Sequence, residues 1–180
     1  MKHMKFLIGV LFSIPLCLNA QECIKDHIGQ IFISKHRCLI FSGYEGTDIK
    51  DLEGNKEFIC IGESNDIYGN KCGVFQATND TTNVFRSPWN TNTFDYFITK
   101  SEYNRLCKEY GQKQTVRALN GEVYRGMYIA LFIIAHGTPS STRTIDTKYG
   151  HTTILSYDTL GGYDNYIFKN NRLDSTDEWN

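Results

Sequence analysis

The sequence predicts a single α+β domain: a small antiparallel β-barrel or meander, with one dominant buried helix and a second short helix. Three features of the 180-residue chain support this fold class. Short apolar runs alternate with turn residues in the first half, a long apolar segment follows the midpoint, and Thr-rich runs come after it. With 41% apolar and 22% charged residues, the chain has the composition of a globular protein, and its length suits one core.

The first twenty residues have the pattern of a secretory signal peptide. Lys2 and Lys5 precede the apolar run 6–12, and we expect cleavage after Ala20. The apolar run is shorter than the roughly 17–25 residues that cross a bilayer, so we predict that it is removed. The expected mature protein is one domain, residues 21–180, secreted or periplasmic and without a membrane span.

Four apolar runs predict the strands of the first half, at residues 28–33, 38–41, 58–61 and 72–77. Clusters of Gly, Asp and Asn between them supply turn chemistry. The polar segment 79–93 then predicts a long loop with Trp89 near its tip. Because loops on a rigid scaffold often carry binding residues, Trp89, Asn90 and Asn92 are candidate ligand contacts. The indole of Trp89 either stacks on a ligand or caps the core.

Five cysteines remain once the leader is removed, so two disulfides would leave one thiol over. In an oxidising compartment the candidates for pairing are Cys23, Cys38, Cys60 and Cys72. Closing a loop of about 15 residues, as between Cys23 and Cys38 or between Cys60 and Cys72, contributes roughly 3 kcal/mol in the chain-entropy model. That pairing leaves Cys107 as a buried thiol, an intermolecular partner or a nucleophile, and the sequence does not choose among the connectivities.

A strand over 94–98 is predicted to lead into a short helix that starts at Thr99 or Ser101. Glu102 follows Thr99 at the spacing of a capping box. Gly111 is the expected end of this helix, because glycine readily adopts the left-handed conformation of a helix C-terminus.

The run 123–135 predicts the dominant helix. Its apolar residues cover most of the helical circumference, which is typical of a helix buried on several sides. His136 followed by Gly137 ends it. Two Thr-rich strands at 142–147 and 152–157, a short strand at 166–168 and a solvated tail at 174–180 complete the prediction.

One segment resembles a known family. Val123 to Thr147 reads VYRGMYIALFIIAHGTPSSTRTIDT: a helix rich in aromatic residues, a glycine break and a Thr/Arg strand. This order is similar to the helix and following strand of the small OB-type binding subunits of pertussis-like and subtilase-type bacterial toxins. The resemblance implies an OB-like barrel, a non-catalytic module that binds a glycan or a protein on a cell surface, and a homo-oligomeric ring. It carries no sugar-binding residue over to this chain.

The predicted function is therefore that of a secreted, non-catalytic binding protein. Tyr149 and Tyr157 join the loop residues as candidate ligand contacts, because an exposed tyrosine offers flat apolar area and a hydrogen-bonding tip. A net charge of −1 without a long basic run argues against nucleic-acid binding. The chain has no CxxC or HExxH spacing and no phosphate-binding loop, so we predict neither a metal nor a cofactor.

Two alternatives belong to other functional classes. A secreted Cys/His hydrolase, loosely similar to cell-wall peptidases, would use Cys72 as nucleophile, His151 as base and Asp158 as orienting residue. The run around Cys72 reads as a strand, however, so this thiol lacks the helix N-terminus that lowers a thiol pKa. A periplasmic immunity or inhibitor protein would instead insert the loop 79–93 into a partner enzyme.

Overall fold

The computed structural model describes residues 24–36, 38–42, 48–65, 69–88, 96–148 and 150–178. It confirms an α+β fold with two antiparallel sheets. The predicted leader and Cys23 lie outside the described residues. None of the helices in the described part of the chain is long and apolar enough to span a membrane.

A 3₁₀ helix (Ile24–His27) precedes the first sheet, whose strands lie in the order β3-β2-β6-β5-β4-β1-β7. These strands are β1 (Ile31–Ser34), β2 (Cys38–Ser42), β3 (Asp48–Leu52), β4 (Glu57–Asn65), β5 (Lys71–Ala77), β6 (Asp80–Pro88) and β7 (Phe97–Thr99). Three helices follow: α1 (Lys100–Tyr110), α2 (Gln112–Leu119) and α3 (Ile129–His136). The second sheet has the order β11-β10-β9-β8, formed by β8 (Ser141–Thr147), β9 (Gly150–Thr159), β10 (Gly162–Lys169) and β11 (Arg172–Glu178).

The first sheet curls around a core of five buried phenylalanines, namely Phe32, Phe58, Phe75, Phe85 and Phe97. The ring of Phe97 on β7 stacks on that of Phe85 on β6, with centroids 6.0 Å apart. Four strand steps separate these strands, about 19 Å in a flat sheet, so the sheet must bend strongly. Within the described residues it does not close, since the strand order runs from the edge β3 to the edge β7.

The three helices form a layer that joins the two sheets. Ile33 and Ile98 of the first sheet, Leu131 and Phe132 of α3, and Phe168 of the second sheet belong to one buried cluster. Burying such side chains contributes on the order of 1.5–3 kcal/mol each. The helices therefore hold the second sheet and the β1–β7 side of the first sheet to a common core.

Helix α1 begins as its capping residues predict. The hydroxyl of Thr99 accepts the N–H of Glu102 at 3.2 Å, so Thr99 rather than Ser101 is the N-cap. Gly111, with φ of 88°, ends the helix, and its N–H donates to the carbonyl of Cys107. On the exposed side, the guanidinium of Arg105 bonds to the carboxylates of Glu102 and Glu109.

The prediction of a helix over 123–135 is wrong in its first half. Gly126 adopts a φ of +83°, which ends any helical path there. Met127 instead accepts the N–H of Leu173 at 2.8 Å, so this stretch lies along β11. Helix α3 starts only at Ile129 and buries Leu131 and other apolar side chains. The apolar residues just before Ile129 lie against β11, and those after it are buried on helix α3. The run is therefore apolar for two separate reasons and is not one continuous helix. Helix α2, a polar segment, is an addition to the prediction.

Three segments predicted as turn, loop or solvated tail are strands. Residues 48–52 pair with β2, residues 80–88 pair with β5, and residues 172–178 pair with β10. Their polar composition conceals the pairing, because the strand signal in a sequence rests on apolar side chains. In β6, residues 80–84 are exposed. Residues 80–88 of the loop predicted over 79–93 therefore belong to a strand, and residues 89–93 lie outside the described residues.

Cys60 and Cys72 lie on neighbouring strands but are not joined to each other. The register places Cys60 opposite Phe75 and Cys72 opposite Ser64. Three residue steps, about 10 Å, therefore separate the two cysteines along the ladder, whereas a disulfide spans α-carbons about 4.4–6.8 Å apart. The bridge between Cys60 and Cys72 suggested by their loop length is not formed, and Cys60 is a buried thiol.

Burial makes Cys60 unreactive in the folded protein. The side chain is 0% exposed, and loss of solvation raises the pKa of its thiol. In alkylation followed by mass spectrometry at neutral pH, we expect label at the partly exposed Cys107 and none at Cys60 until the protein is unfolded. Labelling of Cys60 only after reduction would contradict this prediction, because it would show that Cys60 is in a disulfide.

Candidate functional site

Most of the binding residues predicted from the sequence fall outside the part of the chain described here. Trp89, Asn90, Asn92 and Tyr149 are all in this group. Tyr157 is described, and it is not the fully exposed side chain that the sequence predicts. Its side chain is half-buried, its hydroxyl donates to the carbonyl of Gly137 at 2.8 Å, and its ring contacts those of Phe132 and His136. Tyr157 therefore packs α3 against the second sheet.

The structure does not bring together the three residues of the hydrolase alternative. Cys72 lies on β5 of the first sheet, whereas His151 and Asp158 lie on β9 of the second. His151 and Asp158 are seven residues apart on one strand, about 23 Å, and an odd separation directs their side chains to opposite faces. Asp158 therefore does not orient the imidazole of His151.

His151 has other partners. Its Nδ1 lies 2.6 Å from Oδ1 of Asp146, and its Nε2 lies 3.2 Å from the hydroxyl of Thr153. The carboxylate of Asp146, the imidazole of His151 and the hydroxyl of Thr153 follow one another in the order of an orienting acid, a base and a nucleophile. Thr153 is only 5% exposed, however, so its hydroxyl is closed to a substrate. The contacts instead link the facing strands β8 and β9.

A polar cleft forms where three loops meet, and we call it the loop cleft. It has a volume of about 390 Å³, within the roughly 300–1,000 Å³ range of small-ligand sites. The loops are the end of β1, the β3–β4 turn and the segment after α2. The cleft is lined by His36, Glu53, Gly54, Asn55, Lys56 and Asn120.

Ser34, which is fully buried, clamps the β3–β4 turn to β1. Its hydroxyl donates to the carbonyl of Glu53 at 2.6 Å and accepts the N–H of Lys56 at 3.0 Å. Its backbone bonds the same turn, since its N–H donates to the carbonyl of Lys56 and its own carbonyl accepts the N–H of Asn55. Four hydrogen bonds on one residue fix the position of residues 53–56.

Two glycines allow the third loop to approach closely. A β-carbon on Gly54 would lie 2.2 Å from the carbonyl oxygen of Leu119. On Gly121, whose φ is +76°, it would lie 3.0 Å from the ring of His36. The N–H of His36 donates to the same carbonyl of Leu119 at 2.6 Å. The lining side chains thus stand on a backbone with little freedom to move.

The chemistry of the loop cleft is polar and nearly balanced in charge. Glu53 supplies a carboxylate and Lys56 an ammonium group, 3.0 Å apart and both largely exposed. An exposed ion pair of this kind stabilises the fold by only about 0–1 kcal/mol. Either group can therefore leave the ion pair and bind a ligand with little loss of stability. Asn55 and Asn120 add amides, each of which both donates and accepts hydrogen bonds.

No protein-family model, curated protein or solved structure matches this chain. The site must therefore be judged from its own geometry. In the described part of the chain, no group of three or more His, Cys, Asp or Glu side chains is placed to hold a metal ion.

Sequence reasoning identified parts of the loop cleft only as turns. Gly54 with Asn55, and Asn120 with Gly121, are dipeptides typical of turns. The two pairs are distant in the sequence, and their meeting depends on tertiary contacts such as the hydrogen bond from the N–H of His36 to the carbonyl of Leu119. A single sequence contains no signal for that contact.

Proposed function

We propose that this chain is a secreted, non-catalytic binding protein that holds a glycan unit in the loop cleft. The observation that supports the proposal is the convergence of a carboxylate, an ammonium group, an imidazole and two amides on one clamped junction. Because the backbone beneath these groups is fixed by hydrogen bonds, only their side chains must be ordered when a ligand binds.

The balance of groups favours a hydroxyl-rich ligand over a charged one. Each sugar hydroxyl donates one hydrogen bond and accepts others, which suits carboxylate, amide and ammonium partners together. A phosphate would meet the repulsion of Glu53. A cleft of this volume is also small beside a standard protein interface, which buries about 800 Å² on each partner. A glycan unit is therefore the better fit.

The resemblance to OB-type toxin-binding subunits remains a hypothesis. The strong curl of the first sheet around its phenylalanine core supports an OB-like reading of residues 24–99. Export to the periplasm or the cell exterior rests on the leader pattern of residues 1–20 alone.

A glycan array with the mature protein, residues 21–180, tests the proposal. We expect binding to a restricted set of glycans. Glu53→Gln should weaken binding of the best glycan by roughly 10- to 100-fold, the loss expected for a hydrogen bond to a charged group worth about 1.5–3 kcal/mol. Asn120→Ala should weaken it by roughly 2- to 10-fold, because a hydrogen bond to a neutral amide is worth about 0.5–1.5 kcal/mol. Glu63→Gln is the matched control, because Glu63 also faces a lysine, Lys25, at 3.9 Å but lies outside the cleft.

The control variant should bind as the parent protein does. An array without signal, or cleft variants with parental affinity, would contradict the proposal.

A further inference from the structure

The outer edge of β8 is open. All seven residues of the strand are exposed, and no strand pairs with this edge within the described ranges. Its register with β9 is continuous from Ser141 to Thr147, without a bulge. Proteins commonly protect such edges with bulges, prolines or charged side chains, because an unpaired edge is a template for another strand. Strand β8 has the charged Arg143 and Asp146 but neither a bulge nor a proline.

The direction of the free backbone groups follows from the hydrogen bonds of β9. The N–H of Asn170 donates to the carbonyl of His151, and the N–H of Ser140 donates to that of Ser156. Odd-numbered residues of β9 therefore bond to β10, and even-numbered ones bond to β8. On β8 it follows that Thr142, Thr144 and Asp146 point their N–H and C=O groups outward.

The opposite edge of the same sheet is covered at its start, over residues 171–173. Gly126 donates its N–H to the carbonyl of Leu173, and Ile129 donates its N–H to the carbonyl of Asn171. Tyr128 forms a bridge with Arg172 and stacks under its guanidinium. The chain thus covers the start of the β11 edge with its own segment 126–129, whereas no described segment pairs with the outer edge of β8.

We propose that two copies of this chain associate through their β8 strands, antiparallel about a two-fold axis, to form one continuous eight-stranded sheet. An isologous contact of this kind uses the same surface on both copies. The N–H and C=O groups of Thr144 and Asp146, four outward backbone groups on each strand, find partners in the other copy. This surface is separate from the loop cleft and does not depend on the proposed glycan binding.

The side chains of β8 favour one register. A two-fold axis at Arg143 would oppose two guanidinium groups, and one at Asp146 would oppose two carboxylates, both unfavourable. An axis at Thr144 avoids both pairs but places Ile145 opposite the guanidinium of Arg143. An axis at Ile145 avoids both pairs and keeps the apolar side chains together. It opposes two β-branched side chains, each 36% exposed in the single copy, and pairs each Thr144 with Asp146 of the other copy. Asp146 uses Oδ1 for His151, which leaves Oδ2 for that hydroxyl.

Sedimentation of the mature protein, residues 21–180, tests the association. We expect twice the monomer mass at high micromolar concentration and the monomer mass on dilution. Thr144→Pro should shift the protein to the monomer, because it removes an outward N–H and leaves the bonds between β8 and β9 intact. A protein that stays monomeric at every concentration would overturn the proposal. This holds even if the β8 edge binds a strand from a different protein.

Oxidative cross-linking tests the register even if Thr144→Pro fails to fold. Ile145 does not use its N–H at the edge, so it would form a non-hydrogen-bonded pair with about 4.5 Å between α-carbons, within disulfide range. Ile145→Cys should give a covalent dimer in most of the protein. Arg143→Cys is the control on the same strand and face, about 13 Å out of register. Equal cross-linking of both variants, or none of Ile145→Cys, would contradict the proposed pairing.

Discussion

Replacing Gly54 by alanine is expected to separate the β3–β4 turn from α2 and abolish binding in the loop cleft. The new β-carbon would lie 2.2 Å from the carbonyl oxygen of Leu119 and 2.8 Å from the amide oxygen of Asn120. Leu119 offers a backbone atom that already accepts the N–H of His36, so it cannot yield cheaply. Overpacking of this kind costs about 1–3 kcal/mol, and the four bonds of Ser34 prevent the turn from moving alone.

Urea unfolding and glycan affinity, measured on the same preparation, check the Gly54 prediction. Gly62→Ala is the matched control, because a β-carbon there meets nothing within 4 Å. The control should keep both stability and binding. If Gly54→Ala matched the control in both measurements, the close approach of turn and helix would be refuted.

Phe75→Ala is expected to cause the largest loss of stability, about 3–5 kcal/mol, the range for a buried Phe→Ala change. Phe75 is 0% exposed. Its ring packs on those of Phe97, Phe32 and Phe85 at centroid distances of 4.9, 5.5 and 5.6 Å. Truncation removes the contact that joins the central strand β5 to β7 across the curl of the sheet.

The free energy of unfolding, measured by denaturant titration, checks the Phe75 prediction. Val84→Ala on the neighbouring strand is the control, since Val84 is exposed and should change stability by no more than about 0.5 kcal/mol. A loss below about 1 kcal/mol for Phe75→Ala would show that the sheet does not curl around a common core.

The elements that were predictable from the sequence are those with local causes. Thr99 and Gly111 bound α1 because a cap acts within one turn of the chain. The apolar runs of β4 and β5 identify strands because each alternates between core and solvent. No capping signal marks the start of α3 at Ile129, and only its pairing with Asn171 shows why the helix begins there.

The candidate site depends on tertiary contacts and was therefore hidden from a single sequence. His36, Gly54 and Asn120 come from three separate loops, and none belongs to a motif. The hydrolase alternative failed for the same reason. Residue type alone suggested Cys72 and Asp158 as partners of His151, whereas strand pairing places Asp146 beside it.

The most direct test of the proposed binding site is an amide NMR titration of the mature protein with the best glycan from the array. The proposal predicts shifts confined to residues 53–56, His36 and the Asn120–Gly121 turn, saturating with increasing glycan. Shifts centred on Trp89 and Asn90, or a spectrum unchanged by the glycan, would contradict the assignment of ligand binding to the loop cleft.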